Sequence, residues 1–137
     1  MLVKPIDTRK TKKAVAEKFE IYNRYLLSIA DNNQLILDEK TYEIKLDIND
    51  KKILGREKEK LQFVQYIISR YNRLCVLDKK IIYFSYMIKE KNNDGFIANN
   101  LGFDLNYFYR KKKEAIINMA YTLNAEIYEG ETSEIDW

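Results

Sequence analysis

Arg110, Lys111, Lys112 and Lys113 are four cations in succession, preceded by Asn106, Tyr107 and Tyr109, and these seven side chains are the ones in the chain best suited to gripping a polyanion. Each type brings its own chemistry. The asparagine amide donates and accepts in one plane and matches the N6/N7 edge of adenine, while the arginine fork matches O6 and N7 of guanine. Lysine ammonium groups suit phosphate oxygens. The tyrosines add phosphate hydrogen bonds or contacts to thymine methyl groups. At about 100° per residue, a helix from Leu105 to about Leu123 puts Leu105, Phe108, Ala115, Ile116, Met119 and Leu123 on one apolar stripe. Asn106, Arg110 and Lys113 fall on the opposite side, flanked by Tyr107 and Glu114. Lys111 and Lys112 sit less comfortably: one occupies a position usually apolar in such helices, and the other projects toward the stripe. Both must run their stems over apolar surface to reach solvent or phosphate.

Something must hold that helix at a fixed angle, and the residues before it have the pattern of a helix-turn-helix. Ile97, Leu101, Phe103 and Phe108 supply the apolar contacts of two short helices crossing steeply, and Ala98 is small enough for a close approach. Gly102 can end the first helix in a left-handed conformation, and Asp104 stands where an N-cap belongs. Asn92-Asn93-Asp94-Gly95 reads as the connection leading in.

Upstream, apolar residues at Val15, Phe19, Tyr22, Leu26 and Ile29 predict a long helix over residues 9–30. Asp7 or Thr8 would cap it and Asp31-Asn32-Asn33 would end it. Its seam can pack on the rest of the chain or pair with a copy of itself. Residues 34–55 alternate like extended segments, a small hairpin or a linker, with Asn49-Asp50 and Gly55 as turn signals. Leu61, Val64, Ile68, Tyr71 and Cys75 predict a helix from Arg56 to near Val76, with Cys75 a buried, inert thiol. Asp78 would cap a further helix through Lys91, burying Ile81, Phe84 and Ile88. The expected fold is thus mainly α: a helical bundle with a long N-terminal helix and a C-terminal helix-turn-helix. Residues 1–55 form the N-terminal helix plus linker or hairpin, 56–125 the binding module, and 126–137 an acidic tail.

Composition narrows the chemistry. With no histidine and one cysteine, zinc sites built from these residues and nucleophile–histidine pairs are excluded. The glycines are isolated, so no phosphate-cradling loop exists, and the carboxylates show no convergent pair. A binding protein rather than an enzyme is expected, with no cofactor and no metal. The net charge of +3 hides an uneven layout: residues 1–123 carry 24 cations and 16 acids, while 124–137 carry five acids and no cation. Lys4 to Lys18 holds six cations against two acids, and Lys79 to Lys113 eight against three, the electrostatic footprint of a polyanion binder. The acids at the end either fold back to compete with the polyanion or keep the chain soluble. No apolar run is long enough for a membrane span or a signal peptide, and one cysteine suits a reducing cytoplasm.

Leu77 to Ile116 resembles region 4 of bacterial sigma factors, and more closely the ArpU-type family of phage late-gene transcriptional regulators. The matching residues are Leu77, Ile81-Ile82, Tyr86, Ile97-Ala98, Leu101-Gly102, and the aromatic-then-basic run Tyr107 to Lys113 leading into Ala115-Ile116. Asp104, where Ser or Thr is common, and the polar Lys111 depart from the family pattern. The resemblance implies a sequence-specific activator of phage late genes in a bacterial host cytoplasm, binding double-stranded DNA as a monomer or homodimer and contacting RNA polymerase. By position, Asn106, Arg110 and Lys113 inherit the reading role. A different class remains open: an interaction module of a packaging or polymerase complex with little DNA affinity of its own.

Overall fold

The computed structural model describes residues 4–29, 34–48, 55–88 and 93–131. The elements in chain order are α1 (Thr8–Ser28), β1 (Gln34–Leu37), β2 (Ile44–Asp47), α2 (Arg56–Tyr71), α3 (Val76–Ile82), a single π turn (Tyr83–Met87), α4 (Asp94–Leu101) and α5 (Leu105–Leu123). The chain is mainly helical with one two-stranded antiparallel sheet.

Helix α1 starts where Asp7 accepts from the Lys10 N–H at 3.0 Å, and Val15, Phe19 and Tyr22 are its buried seam. Leu26 and Ile29 are partly buried against the same core, so the seam packs within the chain. The hairpin is real. β1 and β2 pair from Gln34↔Asp47 to Leu37↔Ile44, and the Asp38 carboxylate caps the intervening turn by accepting from the Lys40 N–H. Ile44 lies in the core, and both of its backbone groups are held by one side chain: the Asn72 amide accepts from Ile44 N–H at 2.9 Å and donates to Ile44 C=O at 2.8 Å. The Tyr71 hydroxyl donates to Tyr42 C=O at 2.6 Å. These bonds fasten the hairpin to the end of α2, and the core runs through α1, β2 and all later helices. Residues on both sides of position 55 therefore share one interior.

The same fastening ends α2 at Tyr71, five residues before the expected Val76. Arg73 and Leu74 donate back to Arg70 and Tyr71 in a tightened last turn. Cys75 lies in the turn, in extended conformation, and is exposed rather than buried. Helix α3 begins at Val76 without a side-chain cap, so Asp78 is not the cap but the third helical residue. It is buried, and its Oδ2 accepts from the Asn118 amide of α5 at 2.9 Å. Ile81 is fully buried as expected, while Phe84 and Ile88 are only half-buried. The described helix stops at Met87 because the ladder slips to a π bond, Ile88 N–H to Tyr83 C=O, and the Asn23 amide donates to the Tyr86 carbonyl. The expected ends at Asp31-Asn32-Asn33 and Lys91, and the turn at Asn49-Asp50, lie outside the described residues.

The stretch expected as a free acidic tail begins with structure. Ile127 is buried and exchanges hydrogen bonds with the buried Thr11 hydroxyl, Tyr128 pairs with Ile6, and Glu129 N–H donates to Pro5 C=O. Residues 125–131 thus strap the start of α1, well away from the cationic run of α5; Glu134 and Asp136 lie outside the described residues.

Two buried tyrosines differ in a way that stability measurements can read. Tyr71 has a partner for its hydroxyl, whereas the Tyr22 hydroxyl has none among the described residues. Tyr71→Phe is expected to cost about 1–2 kcal/mol, and Tyr22→Phe to be neutral or stabilising by up to about 1 kcal/mol. Burial pushes both phenols well above their ordinary value, with Tyr83 adding to it. Unfolded tyrosines ionise near pH ~10 while these stay neutral, so stability is intact below that pH and falls as pH rises past it. Either Phe variant should flatten that alkaline fall in urea melts taken between neutral and high pH.

Candidate nucleic-acid interface

Helices α4 and α5 meet at a corner that local chemistry fixes on both sides. Asn93 caps α4 by accepting from Phe96 N–H at 2.7 Å. At the other end Gly102 takes φ 75° and ψ 26°, its N–H donates to Asn99 C=O, and Phe103 N–H reaches back to Ala98 C=O at 2.9 Å. This pair of bonds is the Schellman closure that a left-handed residue permits. Asp104 then caps α5, accepting from Tyr107 N–H at 2.9 Å. Ile97 and Ala98 are buried on the α4 side and Phe108 on the α5 side, and the Phe103 ring meets Tyr107 edge-on at 4.8 Å. A Cβ on Gly102 would meet nothing within 4 Å, so the glycine is required only by the sign of φ. Gly102→Ala should therefore cost about 1–2 kcal/mol and Gly102→Asn distinctly less, read as a shift in urea midpoint.

The seven cationic-run residues divide into three groups. Asn106, Arg110 and Lys113 are exposed together, and Tyr109 is 48% exposed. Tyr107 is half-buried and serves two cations: the Arg110 guanidinium lies 5.5 Å from its ring centre and the Lys111 ammonium also 5.5 Å. Lys111 further pairs with Glu114 at 3.5 Å. Lys112 stands apart. Its ammonium is 2.7 Å from Asp94 Oδ1, its side chain is 15% exposed, and it lies 6.0 Å from the Tyr86 ring. Burial lifts the Tyr86 hydroxyl to about 12, with the Asp94 carboxylate adding to the shift, so that ring carries no competing charge.

This geometry departs from the sequence reading at two residues. Lys112 points to the inward side of α5, as its helical angle suggested, but its charge is taken up inside the molecule, binding α5 to the start of α4. Leu105 is 43% exposed instead of buried, because α5 extends one turn beyond the core and Phe108 is the first residue to reach it. The rest of the stripe, Phe108, Ala115, Ile116, Met119 and Leu123, is buried, joined by Ala120. The sequence reading also passed over Phe96, 52% exposed on α4, and over Asp94 as an ion partner. Asp94 lies 18 residues from Lys112, and no local spacing connects them.

Electrostatically, the exposed strip is open. Among the described residues neither Arg110 nor Lys113 pairs with a carboxylate, since the acids nearest in sequence are engaged elsewhere: Asp104 as a cap, Glu114 with Lys111 and Asp94 with Lys112. Among the described residues no group of His, Cys, Asp and Glu gathers as a metal-ligand set, and no helix is long and apolar enough to cross a membrane. No family model, curated protein or solved structure matches the chain.

Proposed function

We propose that this chain is a sequence-specific DNA-binding transcriptional activator in which α4 and α5 work as a helix-turn-helix, the first half of α5 lying in the major groove. The observation that carries the reading is the strip Asn106, Arg110 and Lys113, exposed together on a helix whose start is fixed by a doubly capped corner. Asn106 and Arg110 read base edges, Lys113 and Lys111 meet phosphates, and Tyr109 contacts phosphate or a thymine methyl group. Tyr107 holds Arg110 and Lys111 in place, and Lys112 keeps α4 and α5 at a fixed angle. The resemblance of Leu77 to Ile116 to phage late-gene regulators and to sigma region 4 supports a place at a promoter in a bacterial cytoplasm, with RNA polymerase as a protein partner.

The test is anisotropy of a labelled duplex enriched from a random-sequence pool, titrated across salt. The logarithm of affinity should fall linearly with the logarithm of salt, with a slope of about −2 for the two phosphates that Lys111 and Lys113 neutralise. Binding that is weak and indifferent to salt sinks the reading.

A second reading draws on Phe96, Leu105 and Tyr109, which are 52%, 43% and 48% exposed. That much apolar surface beside a basic strip also suits a protein partner in a polymerase or packaging complex. Ring-sized assemblies in light scattering, with no duplex binding, would favour it.

A further inference from the structure

We propose that the outer edge of β1 pairs with the same edge of a second copy of this chain, making a four-stranded antiparallel sheet across a two-fold axis at Ile36. This goes beyond the DNA-binding reading and does not depend on it.

The argument starts from the phase of the hairpin ladder. Asp38 N–H donates to Glu43 C=O, and Ile44 spends both backbone groups on Asn72, on the side away from β1. Antiparallel pairs alternate between bonded and non-bonded. Ile36↔Lys45 is therefore a bonded pair within the hairpin, while Leu35 and Leu37 direct their N–H and C=O groups out of the open edge. Among the described residues nothing bonds to those groups.

That edge complements itself. Across a two-fold axis at Ile36, Leu35 faces Leu37 of the other copy and Leu37 faces its Leu35. Both are bonded pairs, giving four main-chain hydrogen bonds, and Ile36 meets Ile36 in the close non-bonded position between them. Gln34-Leu35-Ile36-Leu37 carries no charge, so the arrangement opposes no like charges. Edge strands that remain single are commonly protected by lysine, proline or a bulge, and β1 has none of these. Instead Leu35 is 41% and Ile36 48% exposed. The two edges are also unequal: on the far edge of β2 Asn72 already holds Ile44, leaving only Leu46 of that strand to direct its groups outward, whereas β1 offers both Leu35 and Leu37. Four residues a side make a small interface, so the dimer forms reversibly with concentration.

Sedimentation of the full chain should show the mass rising with concentration from 16.4 kDa toward twice that value and no further. Ile36→Glu is the sharp variant. Within one chain the new carboxylate faces Lys45 favourably, whereas across the axis it faces itself, and dimer dissociation should strengthen at least about tenfold. In a Cys75→Ser background, Ile36→Cys should cross-link on mild oxidation, because directly opposed residues fall within disulfide reach. Gln34→Cys should not, since its own copy lies about four residues along the strand. A mass fixed at 16.4 kDa, growth beyond two copies, or equal cross-linking at both positions overturns the proposal.

Discussion

Arg110→Ala with Lys113→Ala is expected to weaken binding to the preferred duplex by about 2–4 kcal/mol, roughly thirty- to a thousandfold, while leaving the urea midpoint unchanged. Both side chains are exposed and neither holds a carboxylate among the described residues, so the fold loses little with them. The single variants should separate the two roles. Arg110→Ala removes a planar fork and should relax base choice at one position, at a cost of about 1–3 kcal/mol. Lys113→Ala should weaken all sequences alike and reduce the salt slope by about one. Lys112→Met provides the contrast. Its ammonium is already committed to Asp94 at 2.7 Å, so the variant should leave the salt slope alone and cost on the order of 1–2 kcal/mol of folding stability. A slope reduced by one in Lys112→Met would mean that phosphate takes this ammonium from Asp94. Unchanged affinity with Arg110 and Lys113 both removed would reject α5 as the reading helix.

What could be read from the chain alone was local. The caps at Asp7 and Asp104, the left-handed Gly102 and the bounds of α5 each depend on residues within one helical turn, and short-range physics decided them. What escaped depends on distant partners. Leu74-Cys75-Val76 continues an apolar helical period, yet α2 stops at Tyr71 because Asn72 is needed by Ile44, 28 positions earlier. Asp78 looks like a cap in sequence but answers to Asn118, 40 positions later. Acids at Glu126, Glu129 and Glu131 suggest a solvated tail, while Ile127 between them finds Thr11 at the far end of the chain. In the candidate site the outward strip followed from helical periodicity. The inward lysine was visible as an anomaly at Lys112, but its partner was not, since only the packing of α4 on α5 brings Asp94 to it.

Phe19→Ala is expected to have the largest effect on the fold, about 3–5 kcal/mol, and to act on the cationic corner from a helix that does not include it. Phe19 is 1% exposed, stacks on Tyr86 at 5.2 Å with the rings 11° apart, and meets Tyr22 edge-on at 6.0 Å. Tyr86 in turn lies under the Lys112 ammonium, which holds Asp94 at the head of α4. The contacts run without a break from the middle of α1 to the corner that sets the direction of α5. Truncation at Phe19 leaves a hole at the first link, and a domain of this size holds only about 5–15 kcal/mol in total. If α1 were a dispensable arm, urea would melt it first and leave the helices after residue 55 intact. One shared core requires instead a single transition, with the midpoint lowered, the slope unchanged, and amide protection on α1 and α5 lost together. Two separate transitions in Phe19→Ala, with α5 still protected after α1 exchanges, would mean that α1 folds apart from the corner of α4 and α5.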